Sequence, residues 1–235
     1  MSTREIRYRD GQTECIGLIA EPTGSARAPA VAIVHAWDGR DAFVADKAEA
    51  IARLGYIGFA LDVYGGARTG GSPQENGALM QPFLDDRAML RRRLVAGIDA
   101  LRAQPRVDGR IAAMGYCFGG LCVLDLARAG VDLAGVISNH GLFNPPAGLP
   151  NARITARVLA LHGYDDPMVP PDAVVAFAKE MTESHADWQV HAYGNTLHAF
   201  TNPAANDRAF GTLYDARADR RAWESTINFL RECFV

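Results

Sequence analysis

Short, uninterrupted apolar runs alternate along this chain with longer stretches in which apolar residues recur every three or four positions. Ala30-Val31-Ala32-Ile33-Val34 and Ile57-Gly58-Phe59-Ala60-Leu61 are of the first kind, short and apolar throughout, as strands buried on both faces must be. Residues 111–114, 135–138, 157–161 and 189–193 predict four more strands, and residues 4–8 and 13–20 an opening pair that turns at Asp10-Gly11. Helices are predicted over 43–54, 84–104, 118–128, 172–181 and 219–230. In the second of these, Leu90, Leu94, Ile98 and Leu101 share one face, and Arg91–Arg93 mostly fall away from it and read as solvent-facing. Residues 64–82, rich in glycine and carrying Pro73 and Pro82, show no clear period and read as a surface loop, long enough to be a lid or wall. The alternation of strand and helix predicts the α/β class: a mostly parallel central sheet with helices on both faces. With no repeat and no stretch long enough for a separate cap domain, residues 1–235 are expected to form one domain.

Composition narrows the function classes. Hydrophobic residues make up 49% and charged residues 22% of the 235, the balance of an ordinary soluble domain. A net charge of −3 with no basic stripe argues against nucleic acid as a partner, and no apolar run is long enough to span a membrane. The four cysteines, Cys15, Cys117, Cys122 and Cys233, show no CxxC spacing, so neither a disulfide framework nor a zinc site is expected. Free thiols and an N-terminus without an apolar leader segment make the cytoplasm the expected location.

Chemistry enters at Gly115-Tyr116-Cys117-Phe118-Gly119. A nucleophile between a strand and a helix, with small residues two positions to either side, has the form of a nucleophile elbow: the turn is strained, and bulk at the flanking positions would clash. The plainer reading is a glycine-rich turn around a small buried cysteine, but the strand before it and the helix after it meet the context an elbow requires. An elbow pushes the sulfur above the C-terminal edge of the sheet, where ligands bind in open α/β folds, and onto a helix N-terminus that favours a thiolate. The backbone N–H of Phe118 would face the same space as an oxyanion donor.

A thiolate nucleophile needs a base, and the base an orienting carboxylate, in the chain order nucleophile, acid, histidine. Of the downstream histidines, His162 closes an apolar strand and His191 sits within one, and both read as structural. His198, in the loop Gly194-Asn195-Thr196-Leu197-His198-Ala199-Phe200 after the last strand, is the expected base. The acid belongs to the loop after residues 157–161, where Asp165 and Asp166 compete; spacing does not separate them.

The elbow with its following Gly120, the segment Asp166-Pro167-Met168-Val169-Pro170 and the triplet His198-Ala199-Phe200 together resemble the dienelactone hydrolase (carboxymethylenebutenolidase) family of the α/β-hydrolase superfamily. The resemblance runs from Ala30 to the C-terminal helix, and it implies the α/β-hydrolase fold. It selects Asp166 as the acid and implies the backbone N–H of Trp37 as a second oxyanion donor. Two positions depart from the family pattern. Ala36 stands where lactonases of the family carry a glutamate that helps control the thiol proton; nearby Asp38 reads as a solvated loop residue. Asn202 stands where they carry an arginine for a substrate carboxylate, a role for which Arg68 and Arg87 are the conceivable substitutes.

These readings lead to a cysteine-nucleophile hydrolase of small ester-like substrates (lactone, ester or thioester) with the triad Cys117, His198 and Asp166. It would use neither metal nor organic cofactor and act as a monomer or homodimer. The rival readings are a carboxylesterase without lactone preference and a non-catalytic ligand or redox sensor on the same scaffold.

Overall fold

The computed structural model describes residues 1–149 and 152–235. In it the alternation of strand and helix becomes a mostly parallel eight-stranded sheet with helices between the strands. The chain divides into two compact units, Met1–Met114 and Gly115–Val235.

In the first unit, strands β1 (Ser2–Asp10) and β2 (Thr13–Glu21) form the expected antiparallel pair. Asp10 faces Thr13, so the connection is two residues long, and Gly11 supplies the positive φ of 56° that so tight a link demands. Strand β3 (Ala28–Val34) runs parallel to β4 (Ile57–Leu61), which in turn pairs antiparallel with β2. Every residue from Ala30 to Val34 and from Ile57 to Leu61 is buried, as two-sided apolar runs require. Helix α1 (Ala42–Arg53) joins them; the Asp41 side chain accepts the Val44 N–H at 3.2 Å and so satisfies one of its orphan donors.

Between β4 and β5 (Val107–Tyr116) the structure corrects the sequence reading. Part of the supposed loop is helix α2 (Pro73–Asp85). Ser72 Oγ accepts the Glu75 N–H at 3.2 Å, Pro73 takes the first helical position, and the Glu75 carboxylate turns back to the Gly71 N–H at 2.7 Å. Ser-x-x-Glu with proline second is a helix-start signal, which the surrounding glycines masked. Helix α3 (Arg87–Arg102) begins only after Asp86, so the start of the expected helix 84–104 belongs to α2. Leu90, Leu94, Ile98 and Leu101 are fully buried as predicted. Arg93 is buried too rather than solvent-facing: its guanidinium meets Asp10 at 3.0 Å and donates to the Val63 carbonyl at 2.6 Å. Its stem packs with the apolar face while its head finds partners at the margin.

The turn after β4 is built on buried Asp62. Its carboxylate accepts the backbone N–H groups of Ile16, Gly65 and Ala67 at 2.9, 2.9 and 2.7 Å. His35, directly after β3, is wholly buried. Its Nε2 accepts the Val63 N–H at 3.2 Å, so Nδ1 carries the proton that is donated to the Ala36 carbonyl at 2.7 Å.

In the second unit β6 (Gly135–Asn139), β7 (Arg157–Gly163) and β8 (Trp188–Tyr193) run parallel. Helices α4 (Phe118–Arg128), α5 (Pro171–Glu183) and α6 (Ala216–Cys233) accompany them. Arg128 at the end of α4 is 2% exposed, and both its Nε and Nη2 reach the two Glu180 oxygens of α5 at 2.8 Å. Such a two-pronged pair fixes the relative position of two helices more firmly than a single contact can. A short antiparallel pair, β9 (Asn206–Asp207) and β10 (Thr212–Leu213), lies between β8 and α6 and was not read from the sequence. No helix among the described residues is long and apolar enough to cross a membrane.

Burial pushes the His35 pKa down to about 4, against the opposing pull of the Ala36 carbonyl and the Asp62 charge. The unfolded chain therefore binds a proton at His35 before the folded one does. The stability this creates is complete above about pH 6.5 and is lost as pH falls toward 4. His35→Gln, which keeps an acceptor for Val63, is expected to show a shallower fall in Tm between pH 6.5 and 4 than the unmodified protein. The difference should be at most about 3 kcal/mol.

Candidate active site

Strand β5 ends at Tyr116 and α4 begins at Phe118, leaving Cys117 alone to reverse the chain. It does so at φ 54° and ψ −115°, a backbone conformation that L-residues other than glycine rarely adopt. Gly115 shows why the turn tolerates no bulk: a Cβ there would lie 2.0 Å from the Gly119 carbonyl oxygen and 2.2 Å from its carbon. The Cys117 N–H is shared between the Asn139 carbonyl at 3.0 Å and His140 Nδ1 at 3.1 Å, both at the end of β6. The cysteine itself is half-buried, whereas Cys15, Cys122 and Cys233 are buried.

His198 sits in the loop after β8, as the sequence suggested. Its backbone is clasped by the unforeseen β9–β10 segment: its N–H donates to the Gly211 carbonyl at 3.0 Å and its carbonyl accepts the Leu213 N–H at 3.1 Å. Its Nδ1 lies 2.6 Å from Asp166 Oδ2, and Asp166 Oδ1 accepts the Met168 N–H at 2.8 Å. Asp166 is 2% exposed while neighbouring Asp165 faces solvent, so the geometry separates the two aspartates that spacing could not. A carboxylate on Nδ1 fixes that nitrogen as the donor and leaves Nε2 as the nitrogen that can exchange a proton.

Burial by itself would lower the His198 pKa. The Cys117 sulfur and the hydrogen-bonded, charged Asp166 outweigh it and raise the group to about 10. The Nε2 atom is buried, and its approach to the Cys117 sulfur falls short of an aligned hydrogen bond, a looseness common in sites without substrate. Cys117, His198 and Asp166 are thus brought together, the carboxylate on one nitrogen of the imidazole and the sulfur near the other.

The other residues singled out in the sequence fall as follows. Phe118 is buried at the first position of α4. Trp37, in the first unit, is half-buried after β3, and its carbonyl accepts the Tyr64 hydroxyl at 2.8 Å. Asp38 is half-buried rather than solvated; burial, then the charge of Asp41, pushes its carboxyl up to about 6. Asn202 turns its Oδ1 to the Ala204 N–H at 2.9 Å, closing a local turn. Arg68 spends its guanidinium on the carbonyls of Gly65 and Tyr64, and Arg87 is half-buried at the start of α3. His191 bonds Ser225 Oγ at 3.0 Å, and His162 is buried in β7 with both ring nitrogens unpartnered and its pKa lowered by that burial. Among the described residues no cluster of His, Cys, Asp and Glu could hold a metal ion.

His140 is the residue that sequence reasoning passed over. It follows β6 at a φ of 38°, 2% exposed, with Nε2 at 2.8 Å from Thr201 Oγ1 and its ring edge-on to those of His198 and Phe200, each centred 5.2 Å away. The only trace of it in the sequence is a polar Asn-His-Gly directly after an apolar strand.

The model of the dienelactone hydrolase family matches residues 16–234. A crystal structure of a dienelactone hydrolase-like promiscuous phosphotriesterase from metagenomic libraries is 36% identical, with a TM-score of 0.95 over 100% of this chain and 99% of that one. An uncharacterised protein of Caenorhabditis elegans is 38% identical over 155 residues, which make up 64% of this chain and 98% of that protein. A Bradyrhizobium protein named "Probable 2-oxo-3-(5-oxofuran-2-ylidene)propanoate lactonase" is 26% identical over 232 residues, 92% of this chain and 88% of that protein.

Gly115→Ala should lose at least about 1–3 kcal/mol of stability, because the added methyl meets backbone that cannot turn aside. Gly77→Ala, inside α2 with open space around its Cβ, is the matched control and should be neutral or stabilising by up to about 1 kcal/mol. Chemical denaturation of both variants checks the contrast.

Proposed function

The chain belongs to the dienelactone hydrolase family, hydrolases acting on ester bonds, and from that premise we propose that it cleaves small ester-like substrates through an acyl-enzyme on Cys117. The observation that carries this reading is the 2.6 Å contact between Asp166 and His198 Nδ1, with Nε2 left buried beside the Cys117 sulfur. His198 takes the thiol proton, and the sulfur attacks the substrate carbonyl carbon. The tetrahedral oxyanion forms against the backbone N–H of Phe118, a donor worth roughly 3–4 kcal/mol of barrier, and the family resemblance assigns a second such donor to the backbone N–H of Trp37. The C–O bond then breaks and the leaving alkoxide receives the proton held on His198. Water, deprotonated by the same imidazole, attacks the thioester, releases the acid and restores the thiol. Asp166 holds the imidazole in one tautomer and stabilises its charged form. The match over residues 16–234 supports treating the whole chain as one catalytic domain.

The substrate class is a small lactone, ester or thioester without a free carboxylate. Ala36 and Asn202 replace the glutamate and arginine that the family resemblance assigns to thiol control and carboxylate binding, and the Asn202 side chain is engaged in its own turn. Phosphotriester cleavage is a second reading, favoured by the 36%-identical phosphotriesterase and by a nucleophile able to attack phosphorus as well as carbon.

Turnover of p-nitrophenyl acetate should show a burst that disappears in Cys117→Ala and His198→Ala. In Asp166→Asn, kcat should fall on the order of 10³-fold or more, because the imidazole then loses its fixed tautomer. Rates on paired lactones with and without a carboxylate, on acyclic esters and on an aryl phosphotriester rank the substrate classes. A strong preference for the carboxylated lactones would contradict the reading of Asn202. Absence of turnover on every short ester, with ligand binding intact in Cys117→Ala, would point to a sensor instead.

A further inference from the structure

The site holds a second imidazole that the hydrolytic cycle does not use. The Cys117 backbone N–H can only donate, so His140 Nδ1, 3.1 Å away, must be the bare nitrogen of the ring. In a neutral imidazole the proton then sits on Nε2 and is donated to Thr201 Oγ1 at 2.8 Å. Thr201 is buried and lies three residues beyond His198, in the same loop. One ring therefore ties the elbow that carries the nucleophile to the loop that carries the base. The same ring packs edge-on against His198, at an interplanar angle of 67°. His140 reaches this position at a φ of 38°, unusual for a residue with a side chain, and its own N–H is pinned to the Leu161 carbonyl at 2.8 Å.

We propose that His140 is a positioning residue: as the neutral Nε2–H tautomer it clamps the Cys117 elbow to the His198 loop and sets the approach of sulfur to imidazole. This rests on the reading of Cys117 as nucleophile. Two consequences follow from the geometry. The clamp occupies the Cys117 N–H, so that donor faces Asn139 and His140 and not a substrate oxyanion. A neutral ring beside His198 also adds no like charge when His198 is protonated.

The two ends of the clamp can be removed separately. The oxygen of an asparagine side chain falls where Nδ1 lies, so His140→Asn keeps the acceptor for Cys117. His140→Gln places its amide near Nε2 and keeps only the reach to Thr201, and His140→Ala keeps neither. With p-nitrophenyl acetate, kcat is expected to fall roughly thirtyfold in His140→Ala and His140→Gln with KM changed by less than about twofold, since small displacements of reacting groups act on kcat. His140→Asn, which keeps only the Cys117 end, should lose a similar factor, as should Thr201→Val alone, and Thr201→Val should add little further loss in the His140→Ala background because the link is already broken. Nitrogen-15 NMR of the imidazoles supplies a reading independent of catalysis: His140 Nδ1 bare and Nε2 protonated. A protonated Nδ1, kcat left intact in either single-end variant, additive losses in the His140→Ala, Thr201→Val pair, or losses that merely follow Tm would overturn the proposal. If Cys117→Ala retained turnover, the nucleophile reading would fail, and the nitrogen shifts alone would decide the clamp.

Discussion

The reversal of the chain at Cys117 is the constraint on which the site depends. One residue must join a strand to a helix, and it does so in a left-handed conformation worth roughly 1–3 kcal/mol of strain. Gly115 must then lack a side chain because Gly119 is folded onto it. The end of β6 must come up to receive the displaced Cys117 N–H, which it does with the Asn139 carbonyl and the His140 ring. Strain of this kind persists only where its surroundings hold it in place, and these contacts are what hold it.

The same economy governs His198. It is buried, an environment that disfavours charge, yet it carries a raised pKa because the Cys117 sulfur and the Asp166 carboxylate lie at its two nitrogens. Asp166 in turn is held by the Met168 N–H and kept from solvent while Asp165 is not. Each group is thus oriented by the next, and the sequence supplies the last link of the series in an ordinary backbone amide. His35, in the first unit, shows the opposite outcome of burial: with only weak opposing attractions nearby, it stays neutral and serves structure.

The fold and the places of Cys117 and His198 were legible because they leave local marks, whereas Asp166 and Asp165 look alike in the sequence and only burial tells them apart. A strand buried on both faces reads as an apolar run, and an elbow reads as small residues spaced two apart around a nucleophile. What escaped was decided by long-range contact. Arg93 lies on the polar side of its helix by periodicity, but Asp10 and the Val63 carbonyl draw it inward. Asp38 looks like a loop carboxylate until burial and Asp41 are seen to press on it. His140 acts through residues 23 and 61 positions away, and no spacing rule connects them. Helix α2 is different: Ser72-Pro73-x-Glu75 marks its start, inside a glycine-rich stretch that hides its period.

The four free cysteines differ in a way that bears on how the protein ages. Burial pushes the Cys15 and Cys233 thiols up to about 11, and Cys122 is shut into α4. Cys117 is the half-exposed member of the set, beside the His198 imidazole. An oxidant arriving from solvent therefore meets one sulfur before the others, the one on which the proposed chemistry turns. Sulfenic acid formed there could be returned to thiol by a reductant, whereas the sulfinic and sulfonic stages could not. Protection from oxidants therefore matters most at this one turn, where the least sheltered sulfur sits.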